Sequence, residues 1–256
     1  MIPLKSQKDL TMLKRSGEIL ASVMQKLQAS LHSGMTTLDI DLLSEELIRK
    51  EHALAAFKGY KGFPGTVCVS VNEEIVHGIP GPRVILEGDI VSIDLGVNYE
   101  GFFSDMAVTL AVGKVDDARS KLIAATRQSL DIGIKQAQVG NYLTDISHSI
   151  QSFVEAQGFS VVRQFVGHGI GTALHEEPEI PNFGRPGLGP LLKSGMVLAI
   201  EPMVNLGGWE CKINENGWTA VTKDGSPSAH FEHTVAITDK GPVILTREEV
   251  VLDPDS

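Results

Sequence analysis

The sequence predicts an α+β fold made of two similar halves. Apolar residues at three- and four-residue spacings mark paired helices, and period-two alternation marks the strands that follow them. The same order, helix, helix, strands, occurs twice along the chain. Strand text repeats as well: Val91-Ser92-Ile93-Asp94-Leu95 resembles Val197-Leu198-Ala199-Ile200-Glu201, and Asp105-Met106-Ala107-Val108-Thr109 resembles Glu232-His233-Thr234-Val235-Ala236.

The first helix spans 5–31, with Leu10, Leu13, Ile19, Leu20, Val23, Met24, Leu27 and Leu31 on its apolar stripe and Ser6 as a cap. Gly34 closes that unit. Thr37 opens a second helix through Ile40, Leu43, Leu47 and Ile48, and strand runs follow at 66–71, 90–97 and 102–112. In the second half, helices are expected over 117–138 and 144–157, the latter capped by Thr144, with Gly158 as the break. Strands are expected around 160–166 and at 196–204 and 229–238. No low-complexity linker separates the halves, 1–112 and 113–245, so one domain over 1–256 with internal pseudo-symmetry is expected.

The chain carries 32 acidic and 22 basic residues, net −10, with no basic run, which argues against specific nucleic-acid binding. Two cysteines, Cys68 and Cys211, make no disulfide framework and fit a reducing compartment. No apolar run approaches the roughly 20 residues of a membrane span, and the N-terminus has no signal core. A cytoplasmic protein that does not contact membranes is expected.

Asp94 and Asp105 are the first chemical signal. Asn98-Tyr99-Glu100-Gly101 reads as a hairpin turn between their strands. A turn centred between Tyr99 and Glu100 opposes the two carboxylates directly, with Cβ atoms roughly 5 Å apart. Their faces carry Ser92, Gly96, Ala107 and Thr109, which leave room for a ligand, while Val91, Ile93, Leu95 and Val97 share the opposite face. A cation between the carboxylates removes their repulsion. Two solvated aspartates on an exposed sheet face account for the pair alone equally well.

Three further residues join them. Glu201 precedes Pro202, so its strand ends or lies at an edge. Glu232 sits in Ala229-His230-Phe231-Glu232-His233-Thr234-Val235. His168 lies in Gly167-His168-Gly169-Ile170-Gly171, where bare backbone permits close approach of a ligand or another strand. Charged residues inside apolar strands are costly unless paired, and four carboxylates with one imidazole suit a pair of divalent ions. His233 falls on the face opposite Glu232 and reads as a core residue or a support for the site.

These five residues resemble, in type, order and spacing, the metal ligands of the methionine aminopeptidases. Flanking text agrees: Asn72-Glu73-Glu74-Ile75-Val76-His77-Gly78-Ile79-Pro80, His175-Glu176-Glu177-Pro178, Ile180-Pro181-Asn182, Glu201-Pro202-Met203 and Phe231-Glu232-His233-Thr234. The resemblance runs from the first helix to about residue 245. It implies the pita-bread fold, two pseudo-symmetric halves around a curved antiparallel sheet with helices on the outer face. His175 and Glu201 are 26 positions apart in loop-like sequence, so the chain is similar to the short type I enzymes rather than to type II, which carry a helical insertion.

The activity implied is removal of N-terminal methionine when the second residue is small, through a water or hydroxide shared by two divalent ions, Co(II), Mn(II), Fe(II) or Zn(II). By the same resemblance Asp94 holds one ion and Asp105 and Glu232 bridge both. His168 and Glu201 complete the second, and Glu201 also moves a proton. His77 would contact the scissile amide, and His175 the oxyanion or substrate backbone. Tyr60, Phe63, Cys68 and Trp218 match the methionine pocket. Phe57 and Leu174 depart from the Cys and Phe of many bacterial members. A monomer that acts on nascent N-termini, with transient ribosome contact, is implied. Two other readings compete: a pita-bread peptidase of the aminopeptidase P or prolidase type, which uses the same metal ligands, and a noncatalytic pita-bread relative that binds partners, a kind that typically loses ligands.

The small-residue rule applies to the chain's own start. Ile2 is bulky and β-branched, so Met1 should be retained on the native protein. Intact-mass measurement checks this, and loss of Met1 contradicts the expected specificity.

Overall fold

A computed structural model describes residues 2–247 of the chain; the expected domain end at 256, and Met1, lie outside the described residues. Four α-helices lie among the described residues: α1 (Gln7–Ser30), α2 (Thr37–Lys50), α3 (Asp117–Gln136) and α4 (Leu143–Ala156). The first-half strands are β1 (Leu54–Ala55), β2 (Cys68–Val71), β3 (Glu74–Val76), β4 (Ile90–Tyr99) and β5 (Phe102–Ala111). The second half adds β6 (Ser160–Val161), β7 (Gly167–Gly169), β8 (Glu176–Ile180), β9 (Val197–Ile200) and β10 (Met203–Asn205). It ends with β11 (Cys211–Ile213), β12 (Ala220–Thr222), β13 (Ser228–His230), β14 (Glu232–Thr238) and β15 (Gly241–Ile244). No helix lies between β8 and β9, and no helix among the described residues is long and apolar enough to cross a membrane.

Ser6 caps α1 in a reciprocal box with Asp9, as its sequence indicated. The cap of α4 differs from expectation. Asp145 accepts the Tyr142 N–H (2.7 Å), so Tyr142 is the cap residue, while the Thr144 hydroxyl is taken by the Leu188 carbonyl (2.9 Å). The expected long strands at 196–204 and 229–238 are each broken, at Glu201-Pro202 and at Phe231. Proline has no N–H for the ladder, so Glu201 leaves the strand just where its side chain is needed. The run at 160–166 forms strand only at Ser160–Val161.

The main sheet has nine strands in the order β1-β4-β5-β14-β9-β7-β8, with β2 also on β4 and β15 also on β14. One face packs on the helices: Val91, Ile93, Leu95 and Val97 are buried in one cluster with Leu20, Val23, Met24 and Leu27 of α1, and with Ile146 and Ile150 of α4. Ser16 of α1 ties the helix to the β4–β5 hairpin through the Ser104 hydroxyl at 2.9 Å.

The hairpin corrects the expected register. It turns one residue later, between Glu100 and Gly101, both with positive φ (50° and 85°). A two-residue turn of this kind needs left-handed backbone at both central positions, which glycine supplies and the strand-forming Tyr99 would not. Asp94 therefore pairs with Ala107, and Asp105 with Gly96. Each partner moves by two positions, so the carboxylates keep their common face but stand diagonally.

Two cross-strand rows follow from the pairings. Cys68, Asp94, Ala107 and Glu232 form the first, across β2, β4, β5 and β14. The second runs from Gly96 through Asp105 to Thr234, Ala199 and His168, across β4, β5, β14, β9 and β7. Directly opposed residues share a sheet face and neighbours two apart along a strand do too, so all of these side chains point one way.

The seam between the halves, β5 against β14, has direct register only at Glu232–Ala107 and His233–Met106. On either side a threonine hydroxyl stands in for the ladder. Thr234 accepts the Asp105 N–H (2.9 Å) and donates to the Asp105 carbonyl (2.8 Å). Thr109 does the same for His230, at 2.8 Å both ways. Replacing Thr234 by Val leaves the Asp105 N–H and carbonyl buried without partners. We expect Thr234→Val to lower stability by about 1–3 kcal/mol, read as a fall in the urea midpoint with unchanged slope.

Candidate metal centre

The two rows build a floor of small residues, Gly96, Ala107 and Ala199, with charged side chains around it. His168 reaches this floor because of its glycines. A Cβ on Gly167 would stand 2.4 Å from the Ala199 carbonyl oxygen, and one on Gly169 2.1 Å from that of Glu177. The glycines thus serve the close approach of neighbouring strands. The His168 Nδ1 faces the Gly169 carbonyl at 2.9 Å, which places the proton on Nδ1 and leaves Nε2 free as a ligand atom. That Nε2 lies 3.9 Å from Asp105 Oδ2 and 3.6 Å from Glu201 Oε1.

Asp105, His168 and Glu232 offer ligand atoms within 4.8 Å of one another, and so do Glu201, His230 and Glu232. Asp94, Asp105 and Glu232 are buried, at 9%, 4% and 2% exposure. Asp94 Oδ1 and Glu232 Oε1 have no hydrogen-bond partner among the described residues. Burial pushes Asp94 up to about 7, with the His230 imidazole opposing. It pushes Glu201 up to about 7, with His168 opposing. Asp105 and Glu232 are pushed well above the ordinary carboxylate range, first by burial and then by the neighbouring carboxylates. Buried, unpartnered carboxylates facing one space fit divalent cations, which would satisfy the orphaned oxygens and remove the repulsion.

A cavity of about 150 Å³ adjoins these rows, smaller than the roughly 300–1,000 Å³ of a drug-sized ligand pocket. It is lined by Asp94, Asp105, His168, Glu201 and Glu232, by Tyr60, Lys61, Phe63, Cys68 and Trp218, and by His77 and His175. The structure therefore gathers every site residue expected from the sequence into one cavity. Phe63 and Trp218 meet edge-on at 5.3 Å between centroids. Cys68 is buried, and burial and the nearby carboxylates raise its thiol well above its usual range, keeping it protonated and apolar. Phe57 and Leu174 also line the cavity. Gly96 admits Phe57: a Cβ there would lie 2.7 Å from its ring.

His77 follows β3 and has a left-handed backbone, φ 59°. A non-glycine residue held there stores strain that the surroundings must hold in place. Gly78 provides the hold, bonded to Val69 and to Ser70 Oγ, while Thr219 donates to the His77 carbonyl at 3.2 Å. Burial lowers His77 to about 4, with His230 adding to the effect. His175 sits on a turn fastened by Glu176, which accepts the N–H groups of Thr172 (2.9 Å) and Ala173 (3.2 Å) and pairs with Lys5. Its Nδ1 is 3.0 Å from the Tyr60 hydroxyl, and its ring is 4.1 Å from that of His168. Enclosure on the cavity side and the His168 imidazole hold His175 well below the ordinary histidine range.

His233 faces away from the cavity, its Nδ1 2.9 Å from Thr246 Oγ1. Sequence reasoning passed over His230. Its position two residues before Glu232 places it on the same face in an unbroken strand, and that was the available signal.

The profile of metallopeptidase family M24 matches residues 11–239. The chain is 52% identical over 246 residues to the methionine aminopeptidase of Clostridium perfringens, covering 96% of this chain and 99% of that one. With methionine aminopeptidase 1 of Bacillus subtilis the identity is 49% over 247 residues, covering 96% and 100%. The crystal structure of the methionine aminopeptidase from Thermotoga maritima superimposes with a TM-score of 0.95 at 47% identity, covering 97% of this chain and all of that one. The expected pita-bread fold is borne out by this likeness.

Because Asp94 and Glu201 lose their protons near pH 7 in the metal-free chain, protons compete with cations below that pH and release their hold above it. Divalent-ion affinity should climb between pH 6 and pH 8, measured by calorimetric titration of the metal-free protein. A flat profile contradicts this account of the site.

Proposed function

The chain belongs to metallopeptidase family M24, and from that premise we propose that it removes N-terminal methionine from peptides and nascent proteins whose second residue is small. The observation that carries this reading is the junction, in one cavity, of a carboxylate–imidazole cluster with a narrow apolar slot. Members of the family use divalent metal; we take the number here as two, drawn from Co(II), Mn(II), Fe(II) and Zn(II). Asp94, Asp105, His168, Glu201 and Glu232 would hold them. When bound, such ions supply Lewis-acid activation of water and of the peptide carbonyl near neutral pH.

The remaining work falls to the chain's own side chains. Tyr60, Phe63, Cys68 and Trp218 enclose an unbranched thioether, and Phe57 and Leu174 narrow the same slot. The same cavity is lined by the metal-binding side chains, so a first residue seated in it would set the scissile bond beside the carboxylates. Glu201 takes the proton of the attacking water and returns it to the leaving amine. His77 and His175, held neutral at pH 7, can hydrogen-bond the substrate peptide without bringing charge into the cavity. We read residues 1–256 as one catalytic domain acting as a cytoplasmic monomer, with nascent N-termini as substrates and transient ribosome contact.

The prolidase-type alternative predicts a different substrate. Methionine should be released from Met-Ala peptides only with divalent ion present, and lost on chelation, while Ala-Pro peptides stay intact. Liquid chromatography of the products measures both. No metal-dependent cleavage of Met-Ala peptides would rule the reading out.

A further inference from the structure

We propose that His230 is a sixth metal ligand, giving the centre a second imidazole; the proposal rests on the dinuclear reading above. His230 is 1% exposed, and neither ring nitrogen has a hydrogen-bond partner among the described residues. A neutral imidazole has one donor and one lone pair to satisfy, and both are buried here. Its Nε2 lies 3.5 Å from Glu201 Oε2, while the His168 Nε2 lies 3.6 Å from Glu201 Oε1. One carboxylate is therefore flanked by two imidazoles, one per oxygen.

Metal bonds of about 2.1 Å meeting at a tetrahedral angle set two ligand atoms about 3.4 Å apart. The Glu201–His230 distance matches a cation bound between them and is long for a hydrogen bond. The ligand atoms of Glu201, His230 and Glu232 lie within 4.8 Å of one another, as do those of Asp105, His168 and Glu232. His230 therefore stands among side chains already assigned to the centre.

The position is built. Thr109 holds the His230 backbone on both its N–H and its carbonyl, and Ser92 supports Thr109 at 2.8 Å. Strand β13, which ends at His230, is pinned from behind by the pairing of His230 with Met203. A second imidazole favours Zn(II), Co(II) and Fe(II) over the harder Mn(II).

The test is X-ray absorption at the cobalt edge, on metal-free protein reloaded with two equivalents of Co(II). The expected result is one imidazole per ion on average, falling to one half in His230→Gln. In parallel, calorimetric titration of His230→Gln with Co(II) should show one of the two equivalents weakened at least about tenfold. The wild-type spectrum alone decides the point if the variant does not fold. One imidazole shared by a bound pair of ions overturns the role of His230 and leaves the dinuclear reading standing. A wild-type protein that binds no Co(II) overturns both.

Discussion

Four carboxylates crowded onto one buried sheet face are the constraint around which the rest of the chain is arranged. Unpaired, each would cost several kcal/mol to keep charged away from water. Lys61 lines the cavity, with its ammonium 5.4 Å from the centre of the Tyr60 ring, and no ion pair with these carboxylates is formed by a lysine or arginine among the described residues. The fold instead sets the carboxylates on a face whose intervening residues, Ala107 and Ala199, are small, while Gly96 makes room for the Phe57 ring. The helices pack on the opposite face, so the apolar core and the polar site share a sheet without competing for its residues.

The substrate slot follows from the same economy. The strands that carry Asp94 and Glu232 also bring Cys68 into their row, so the ligand array grades directly into apolar wall. β12 pairs with β3, which sets Trp218 and Thr219 beside His77. The strained backbone of His77 is tolerable because Gly78 lies too close to Val69 for any side chain: a Cβ there would be 2.1 Å from the Val69 carbonyl oxygen. The turn that carries His175 depends on the salt bridge of Glu176 with Lys5, near the start of the sequence.

Much of this was legible before any coordinates. Helical stripes placed all four helices within a few residues, because those stripes answer to one buried face. The internal repeat announced two carboxylates per half. What could not be read was set by backbone geometry. The hairpin centre moved one residue because the left-handed conformation required at its tip belongs to Gly101, and the directly opposed aspartates became a diagonal pair. The strand breaks at Pro202 and Phe231 were half visible, since proline advertises a lost donor and phenylalanine advertises nothing. His230 lies two residues before Glu232, and alternation alone would have placed the two on one face. The reach of Lys5 to Glu176, across 171 residues, leaves no local signal at all.

The threonines at the seam have a consequence for how the centre comes into being. Thr109, from the first half, clamps the backbone of His230 in the second; Thr234, from the second, clamps Asp105 in the first. The clamping is reciprocal, so neither half can finish its own set of ligands. A chain still being synthesised, or one whose halves have not docked, presents only loose carboxylates on a hairpin, a weak chelate. On the proposed reading, the full ligand set would exist only once the two halves have docked.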